Sequence, residues 1–296
     1  MATVQVIETV AELRSARKAL YGHVGVVPTM GALHAGHLSL VEQAKAENDS
    51  VLVTIFVNPK QFGPNEDLVA YPRDLPHDLD MLKSVGVDLV FTPTPEVMYP
   101  PGYQTYVEVN EVSKGLEGDR RPGHFRGVAT VVAKLFNLTQ PDNVYFGQKD
   151  AQQVTVIRQM ARDLDFPLNV VVCPTIRETD GLAMSSRNVY LSPEQRRAAP
   201  VLYQAIQAVE KAYGQGERDP QRLRQTAQTV LASEPLAEVD YVSTADAATL
   251  RELDAASEKP MLFSLAVKIG QTRLIDNFLL PLALNSRQGL SETLGA

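Results

Sequence analysis

Short apolar runs alternate with amphipathic stretches through the first half of the chain. Val24–Val27 is an apolar, β-branched run stopped by Pro28, and it reads as a buried strand. Leu38, Val41 and Ala44 recur at i, i+3 and i+6 among Glu42, Gln43, Lys45 and Glu47, the spacing of an amphipathic helix. Val51–Val57 predicts a second strand, ended by Asn58-Pro59. Leu75–Val85 predicts a helix and Asp88–Phe91 a third strand. Val128, Val131, Val132, Leu135 and Leu138 form a helical stripe. Asn143–Phe146 then reads as a strand, a helix follows from Asp150 to Leu164, and Asn169–Cys173 is a strand stopped by Pro174. Strands separated by single helices must pair in parallel through crossovers. The fold class is therefore α/β, a Rossmann-like parallel sheet with helices on both faces.

The pattern then changes. Ser192-Pro193-Glu194-Gln195 opens a helix, with Ser as the cap, Pro at the first helical position and Gln195 closing a capping box. Asp219-Pro220 opens another. Val239–Ser243, Leu262–Ile269 and Thr272–Asp276 read as strands of a separate, smaller sheet. A Thr/Asp/Gly/Ser/Asn-rich stretch at 175–190 marks the boundary between the two patterns. We expect a Rossmann-like domain over 1–176 and a smaller C-terminal α+β domain over 177–296. The last ~15 residues carry no clear pattern and are expected to be loosely held.

Charge and composition narrow the function. With 28 Lys plus Arg against 35 Asp plus Glu, the net charge of −7 argues against nucleic-acid binding, which needs a clustered basic surface. A small anion held by a few local cations remains compatible. The lone Cys173 cannot form an intrachain disulfide, so a reducing cytoplasm fits. It falls on a buried strand and reads as an inert core residue. The most apolar windows, Val51–Val57 and Leu262–Ile269, fall far short of the ~20 residues that cross a bilayer. Glu8 and Glu12 near the start do not match a secretion leader.

Chemistry concentrates where strands give way to helices, the side of a parallel sheet on which ligands bind. His34-Ala35-Gly36-His37 follows the first strand and carries two of the chain's five histidines. A helix N-terminus there offers unpaired N–H groups to a phosphate, Gly36 permits close approach, and both imidazoles reach the same helical face. Phe146-Gly147-Gln148-Lys149-Asp150-Ala151-Gln152-Gln153 sits at a second such junction. Lys149 supplies a point charge, while Asp150 and Gln153 have the spacing of a capping box, so Gln153 is equally a cap or a ligand. Met184-Ser185-Ser186-Arg187-Asn188 offers hydroxyls and a guanidinium at the domain boundary, where the loop could close over a ligand. Asn58 and Gln61 follow the second strand and could face one cleft with uncharged amides. Arg120, Arg121 and Arg126 form a local basic cluster, either a surface face or an anion-binding loop. No set of His, Cys, Asp and Glu has metal-site spacing.

In this order the motifs resemble the pantoate–β-alanine ligase family, the pantothenate synthetases. The match runs from about Val24 through Asn277. It comprises Pro28-Thr29-Met30-Gly31-Ala32-Leu33-His34-Ala35-Gly36-His37, Val57-Asn58-Pro59-Lys60-Gln61-Phe62-Gly63, Tyr71-Pro72-Arg73-Asp74, the 146–153 segment and Asp180-Gly181-Leu182-Ala183-Met184-Ser185-Ser186-Arg187-Asn188. A His-x-Gly-His alone would indicate only the wider nucleotidylyltransferase superfamily. One departure is Gln148, where the family commonly carries Glu. The resemblance implies ATP-dependent condensation of (R)-pantoate with β-alanine to pantothenate, AMP and pyrophosphate through a pantoyl adenylate. It implies ATP contacts from Met30, Gly31, Ala32, Leu33, His34, Ala35, Gly36 and His37, from Gly147, Gln148, Lys149 and Asp150, from the Ile176 backbone, and from Met184, Ser185, Ser186 and Arg187. His37 would be a proton donor, with His34 beside it and Lys149 on phosphate. Gln61 and Gln153 would bind pantoate, Gln61 would also meet β-alanine, and Asn58 would stand in the substrate site. Mg²⁺ would ride on the ATP phosphates rather than in a protein cage. The family is typically a cytoplasmic homodimer. A nucleotidylyltransferase acting on a phosphate-bearing acceptor would need further cations, and a non-catalytic sensor would show a broken phosphate set. Here His34, His37, Lys149, Ser185, Ser186 and Arg187 are all present.

Overall fold

The computed structural model describes residues 4–294. In chain order the elements of the first half are β1 (Gln5–Ile7), α1 (Val10–Ala19), β2 (Val24–Thr29), α2 (Ala35–Glu47), β3 (Ser50–Ile55), α3 (Leu75–Ser84), β4 (Leu89–Phe91), α4 (Pro95–Met98), α5 (Leu116–Arg120), α6 (His124–Thr139), β5 (Asn143–Gly147), α7 (Ala151–Asp163) and β6 (Asn169–Cys173). The second half contains α8 (Pro193–Ala198), α9 (Val201–Gly214), α10 (Pro220–Leu231), β7 (Ala237–Asp246), β8 (Met261–Ile269), β9 (Thr272–Leu280) and α11 (Arg287–Thr293).

The chain divides into two compact units. One runs to Phe146 and includes Val156–Cys173; the other comprises Gly147–Thr155 and the chain from Pro174 onward. The division thus falls at 173/174 rather than at 176/177, and the short Gly147–Thr155 segment counts with the second unit. There, the Asn277 amide binds the carbonyls of Gln148 and Lys149.

The first unit is built on a six-stranded parallel sheet of order β1-β4-β3-β2-β5-β6. Val27, Val51, Val53, Val90, Tyr145 and Cys173 share a core with Leu40, Val41 and Ala44 of α2 and Leu82 of α3. The alternate residues Val26, Leu52, Leu89, Phe91 and Val144 point the other way and are equally buried, so both faces are covered. Burial pushes the Cys173 thiol up to about 12, so it stays protonated, as an inert core residue should.

Three details depart from the sequence pattern. The first is Pro28, which lies inside β2 rather than ending it. The Val24 carbonyl accepts from Asp142 on the β5 side, and the Thr29 carbonyl accepts from Phe56 on the β3 side. Backbone groups alternate along a strand, so Pro28, like Val24, faces β5. Pairing with β5 reaches only to Val26↔Val144, so no ladder bond is lost there. The second is β3, which stops at Ile55 because its partner β2 ends at Thr29, whose carbonyl takes the last ladder bond from Phe56 N–H. The third is the tail. Leu282–Asn285 forms a 3₁₀ turn, Ser286 caps α11 through Gly289 N–H, and Leu290 and Leu294 are fully buried. The chain is held to residue 294 by those two leucines; residues 295 and 296 lie outside the described ones.

The second unit is a three-stranded antiparallel sheet, β7-β8-β9, with α9 and α10 packed on it. Ile206, Val209, Leu223 and Leu231 meet Phe263, Leu265, Val267 and Phe278 in its core. Its strands run longer than the sequence pattern suggests, with β7 spanning Ala237–Asp246 and β9 continuing to Leu280. The helix starts at Ser192 and Asp219 form as their capping residues dictate.

Candidate active site

The sheet order reverses between β2 and β5, which makes their carboxyl ends the expected ligand crevice. After β2 the chain turns through Gly31 (φ 79°) and Ala32 (φ 51°), both left-handed. This costly turn is pinned by Asp78 on α3. Its carboxylate, 1% exposed, accepts from Ala32 N–H at 3.0 Å and Leu33 N–H at 2.7 Å. Burial pushes the Asp78 carboxyl up, and those two backbone bonds partly offset it. The turn delivers His34 to the start of α2. His34 is the N-cap, with extended backbone, rather than a residue on the helical face. The two rings nevertheless meet, with centroids 4.1 Å apart, because they cap the helix reciprocally. His34 Nδ1 accepts from Gly36 N–H at 3.1 Å, and His37 Nδ1 accepts from His34 N–H at 3.3 Å. A ring that accepts at Nδ1 carries its proton on Nε2 when neutral. Both imidazoles are thus set as Nε2–H donors.

Gln61 closes a 3₁₀ turn (Pro59–Gln61) after β3, and its Nε2 meets Met30 Sδ at 3.1 Å. The first two motifs therefore converge. Asn58 does not stand in the cleft as expected. It is 1% exposed, its Nδ2 donates to Gln61 Oε1 at 3.0 Å and to the Gly127 carbonyl at 3.1 Å, and its Oδ1 accepts from Tyr99 OH at 2.7 Å. Its donor is thus spent on Gln61 and Gly127 and its acceptor on Tyr99 and the Lys60 N–H, so Asn58 holds the Gln61 side chain in place. The α6 helix can come this close because Gly127 has no Cβ; one would lie 2.1 Å from the Lys60 carbonyl.

One member of the basic cluster, Arg121, belongs to the same support. Arg121 makes two 2.7 Å bonds to the Glu66 carboxylate and lies 3.1 Å from His124 Nε2. His124 Nδ1–H donates to the Gln61 carbonyl at 2.8 Å. Arg126 instead stacks over Tyr106 at 4.0 Å. Burial pushes His124 down to about 4, and the Arg121 charge adds to it, against the pull of the Gln61 carbonyl and the Glu66 and Glu117 carboxylates. The unfolded chain protonates near pH ~6.5. Between these values the unfolded state holds the extra proton, so stability falls as the pH drops. The slope approaches about 1.4 kcal/mol per pH unit, for roughly 3 kcal/mol in all. Urea midpoints should therefore decline from pH 6.5 to 4, and His124→Gln should flatten that decline. An unchanged slope in the variant would remove His124 as its source.

The second unit carries the remaining motifs. Gly147 is extended, and a 3₁₀ turn over Gln148–Asp150 runs straight into α7. Asp150, the last residue of that turn, directly precedes α7, with Gln153 in the first turn of the helix. Gln148 is 3% exposed, with Nε2 donating to Asn285 Oδ1 at 2.8 Å. Its side chain is thus turned into the protein. Lys149 is one-fifth exposed, 3.8 Å from the Asp150 carboxylate. The Ile176 carbonyl accepts from Met184 N–H at 3.0 Å, which joins Ile176 to the start of the Met184-Ser185-Ser186-Arg187 segment. Ser185 Oγ caps the next turn by accepting from Arg187 N–H at 3.2 Å. Glu178 and Asp180 both bind Arg196, and Asn188 Nδ2 bonds Glu178, so the loop is anchored within its own unit. Gly181, at φ 93°, is required because a Cβ would lie 1.9 Å from the Tyr203 ring.

Sequence reasoning passed over Asp78, Asn58's holding role and the Arg121–His124 pair. A signal for Asp78 existed, since it lies at i−4 from Leu82 on the buried face of α3. Among the described residues, no group of three or more His, Cys, Asp or Glu side chains could hold a metal ion, and no helix is long and apolar enough to cross a membrane.

Comparison with known proteins now decides the family. The pantoate-beta-alanine ligase profile matches residues 5–279. The chain belongs to the pantoate–β-alanine ligase family. It is an enzyme of the ligase class. It is 60% identical over 276 residues to the pantothenate synthetase of Herpetosiphon aurantiacus, covering 93% of this chain and 100% of that one. It is 59% identical to that of Roseiflexus castenholzii, covering 93% and 99%. The solved pantothenate synthetase of Thermus thermophilus superposes with a TM-score of 0.87 at 49% identity, covering 93% and 99%. The pantoate–β-alanine ligase of Francisella tularensis, solved in complex with β-γ ATP and β-alanine, gives 0.77 at 35% identity over 99% and 100%.

Proposed function

We propose that this ligase condenses (R)-pantoate with β-alanine to pantothenate, using ATP and passing through pantoyl adenylate. The observation that carries the reading is the reciprocal His34–His37 cap, which aims two Nε2–H donors from the end of a central strand. Family membership supports the acyl and amine substrates. ATP and β-alanine are the ligands of the Francisella relative, and we carry them to this chain.

In the first step a pantoate carboxylate oxygen attacks the α-phosphorus of ATP. The bond from that phosphorus to the bridging oxygen breaks, and pyrophosphate leaves with the electron pair. The protein's task is to orient the carboxylate and meet the charge that grows on the leaving group. We assign the Nε2–H groups of His34 and His37 and the Lys149 ammonium to that charge, and the Gln61 and Gln153 amides to pantoate. The other ATP contacts would come from Met30–Leu33, Ala35 and Gly36, from the backbone around Gly147, Gln148 and Asp150, from the Ile176 N–H, and from Met184–Arg187. In the second step the neutral β-alanine amine attacks the acyl carbon. The acyl–phosphate bond breaks, AMP leaves, and the new amide nitrogen gives up a proton. Mg²⁺ enters as part of the ATP substrate. A cytoplasmic homodimer belongs to the same reading, on family resemblance.

The test is isotope exchange. Labelled pyrophosphate should enter ATP when pantoate is present and β-alanine absent, because the phosphate-directed residues need no amine. Exchange that strictly requires β-alanine, or that runs without pantoate, would contradict a discrete adenylate.

A further inference from the structure

The second unit contains a buried polar relay that the mechanism above does not use. It begins at Arg177, whose guanidinium lies 4.3 Å from the Tyr203 ring centroid. Arg177 grips Asp276 with bonds of 2.6 and 3.0 Å and also reaches the Gly181 carbonyl at 3.1 Å. Asp276 is 2% exposed and accepts from the backbone N–H of Asn277 at 2.8 Å. Asn277 is 4% exposed, on β9 opposite Ser264. Its Nδ2 donates to the Gln148 carbonyl at 3.0 Å and to the Lys149 carbonyl at 2.8 Å. The amide orientation is fixed, since a flipped amide would set its oxygen against two carbonyl oxygens.

We propose that Asn277 is the positioning residue of Lys149, clamping the 3₁₀ turn that aims its ammonium. This rests on the reading of Lys149 as the phosphate cation. Gly147 before the turn provides no side-chain cap and has open space where a Cβ would be. The second hold is the Gln148–Asn285 amide pair, which grips a side chain and not the Lys149 main chain. Asn277 also leaves its Oδ1 buried without a partner. An unmatched buried acceptor costs desolvation free energy that an apolar residue would avoid at this core position of a strand. Burial raises the Asp276 carboxyl against the opposing charges of Arg177 and Lys149, so Lys149 lies within electrostatic reach of the relay.

The experiment is a double-mutant cycle on the full enzyme, read as single-turnover adenylate formation, with Asn277→Ala and Lys149→Ala alone and combined. Asn277→Ala should slow adenylation by on the order of 10²-fold, the scale of a 1 Å misplacement. In the Lys149→Ala background it should change the rate by no more than about two-fold. The second half-reaction, started from supplied pantoyl adenylate and β-alanine, has no triphosphate to hold and should be retained. Thermal unfolding is recorded for each variant. If Asn277→Ala does not fold, Asn277→Ser replaces it in the same cycle, since the shorter hydroxyl also breaks the clamp. Additive losses, or equal losses in both half-reactions, would make Asn277 merely structural and overturn the proposal alone. A Lys149→Ala enzyme with normal adenylation would instead overturn the reading of Lys149, and the proposal with it.

Discussion

Lys149→Ala is expected to slow pantoyl-adenylate formation on the order of 10²–10³-fold in a single turnover. That is the loss when one preorganised donor, worth roughly 2.7–4 kcal/mol, is withdrawn from a developing charge. The motive is placement. Lys149 sits in the turn that immediately follows a central strand of the parallel sheet, with its main chain gripped by a buried amide. As pyrophosphate departs, negative charge concentrates on it, so a fixed ammonium is stronger on the transition state than on bound ATP. Folding should hardly notice. The ion pair of Lys149 with Asp150 spans 3.8 Å at a partly exposed site and is worth less than about 1 kcal/mol. The expected signature is thus a steep loss of rate with a nearly unchanged thermal midpoint. Adenylation within a few-fold of the parent would reduce Lys149 to a surface residue.

The candidate site side chains were more legible in the sequence than the groups that hold them. His34, His37, Lys149, Gln61 and Gln153 all lie within short motifs at strand ends, where residue type and local position carry the information. Their supports come from far along the chain. Asp78 is 45 residues from Leu33, His124 is 63 from Gln61, and Asn277 is 128 from Lys149. No local pattern encodes a contact across such separations; only the topology brings the partners together. Preorganisation therefore resides largely in residues whose identity looks ordinary in sequence.

The fold shows the same divide between local and long-range signals. The central strands β2, β3 and β5 are legible as apolar runs because both their faces are buried. β1 is not, since it is three residues long with two of them exposed, and α1 buries only Leu13. The α9 helix lacks a start signal, as Pro200 before it makes no side-chain cap. The tail escaped because its evidence is one serine cap and two leucines four apart, too short a span for periodicity to register.

The histidine pair should behave as one unit. His34→Ala and His37→Ala are each expected to lower adenylation within the range of roughly 10²–10⁴ typical of a positioned proton donor or acceptor. The double variant should lose much less than the product of the two. The reason lies in the reciprocal cap. Removing His37 takes away the acceptor of the His34 N–H, and removing His34 takes away the acceptor of the Gly36 N–H, so either change displaces the other ring. Each alanine should also cost about 0.5–2 kcal/mol of stability as a lost cap. Two further variants separate capping from chemistry. Asparagine is a good N-cap, and glutamine at the third helical position can close a capping box. His34→Asn and His37→Gln should therefore recover most of the stability while remaining slow, because neither amide reproduces a donor at the Nε2 position. Full adenylation in those two variants would mean that the imidazoles serve only to start α2. Cleanly additive losses in the alanine series would mean that the two rings act on separate groups rather than on one phosphate chain.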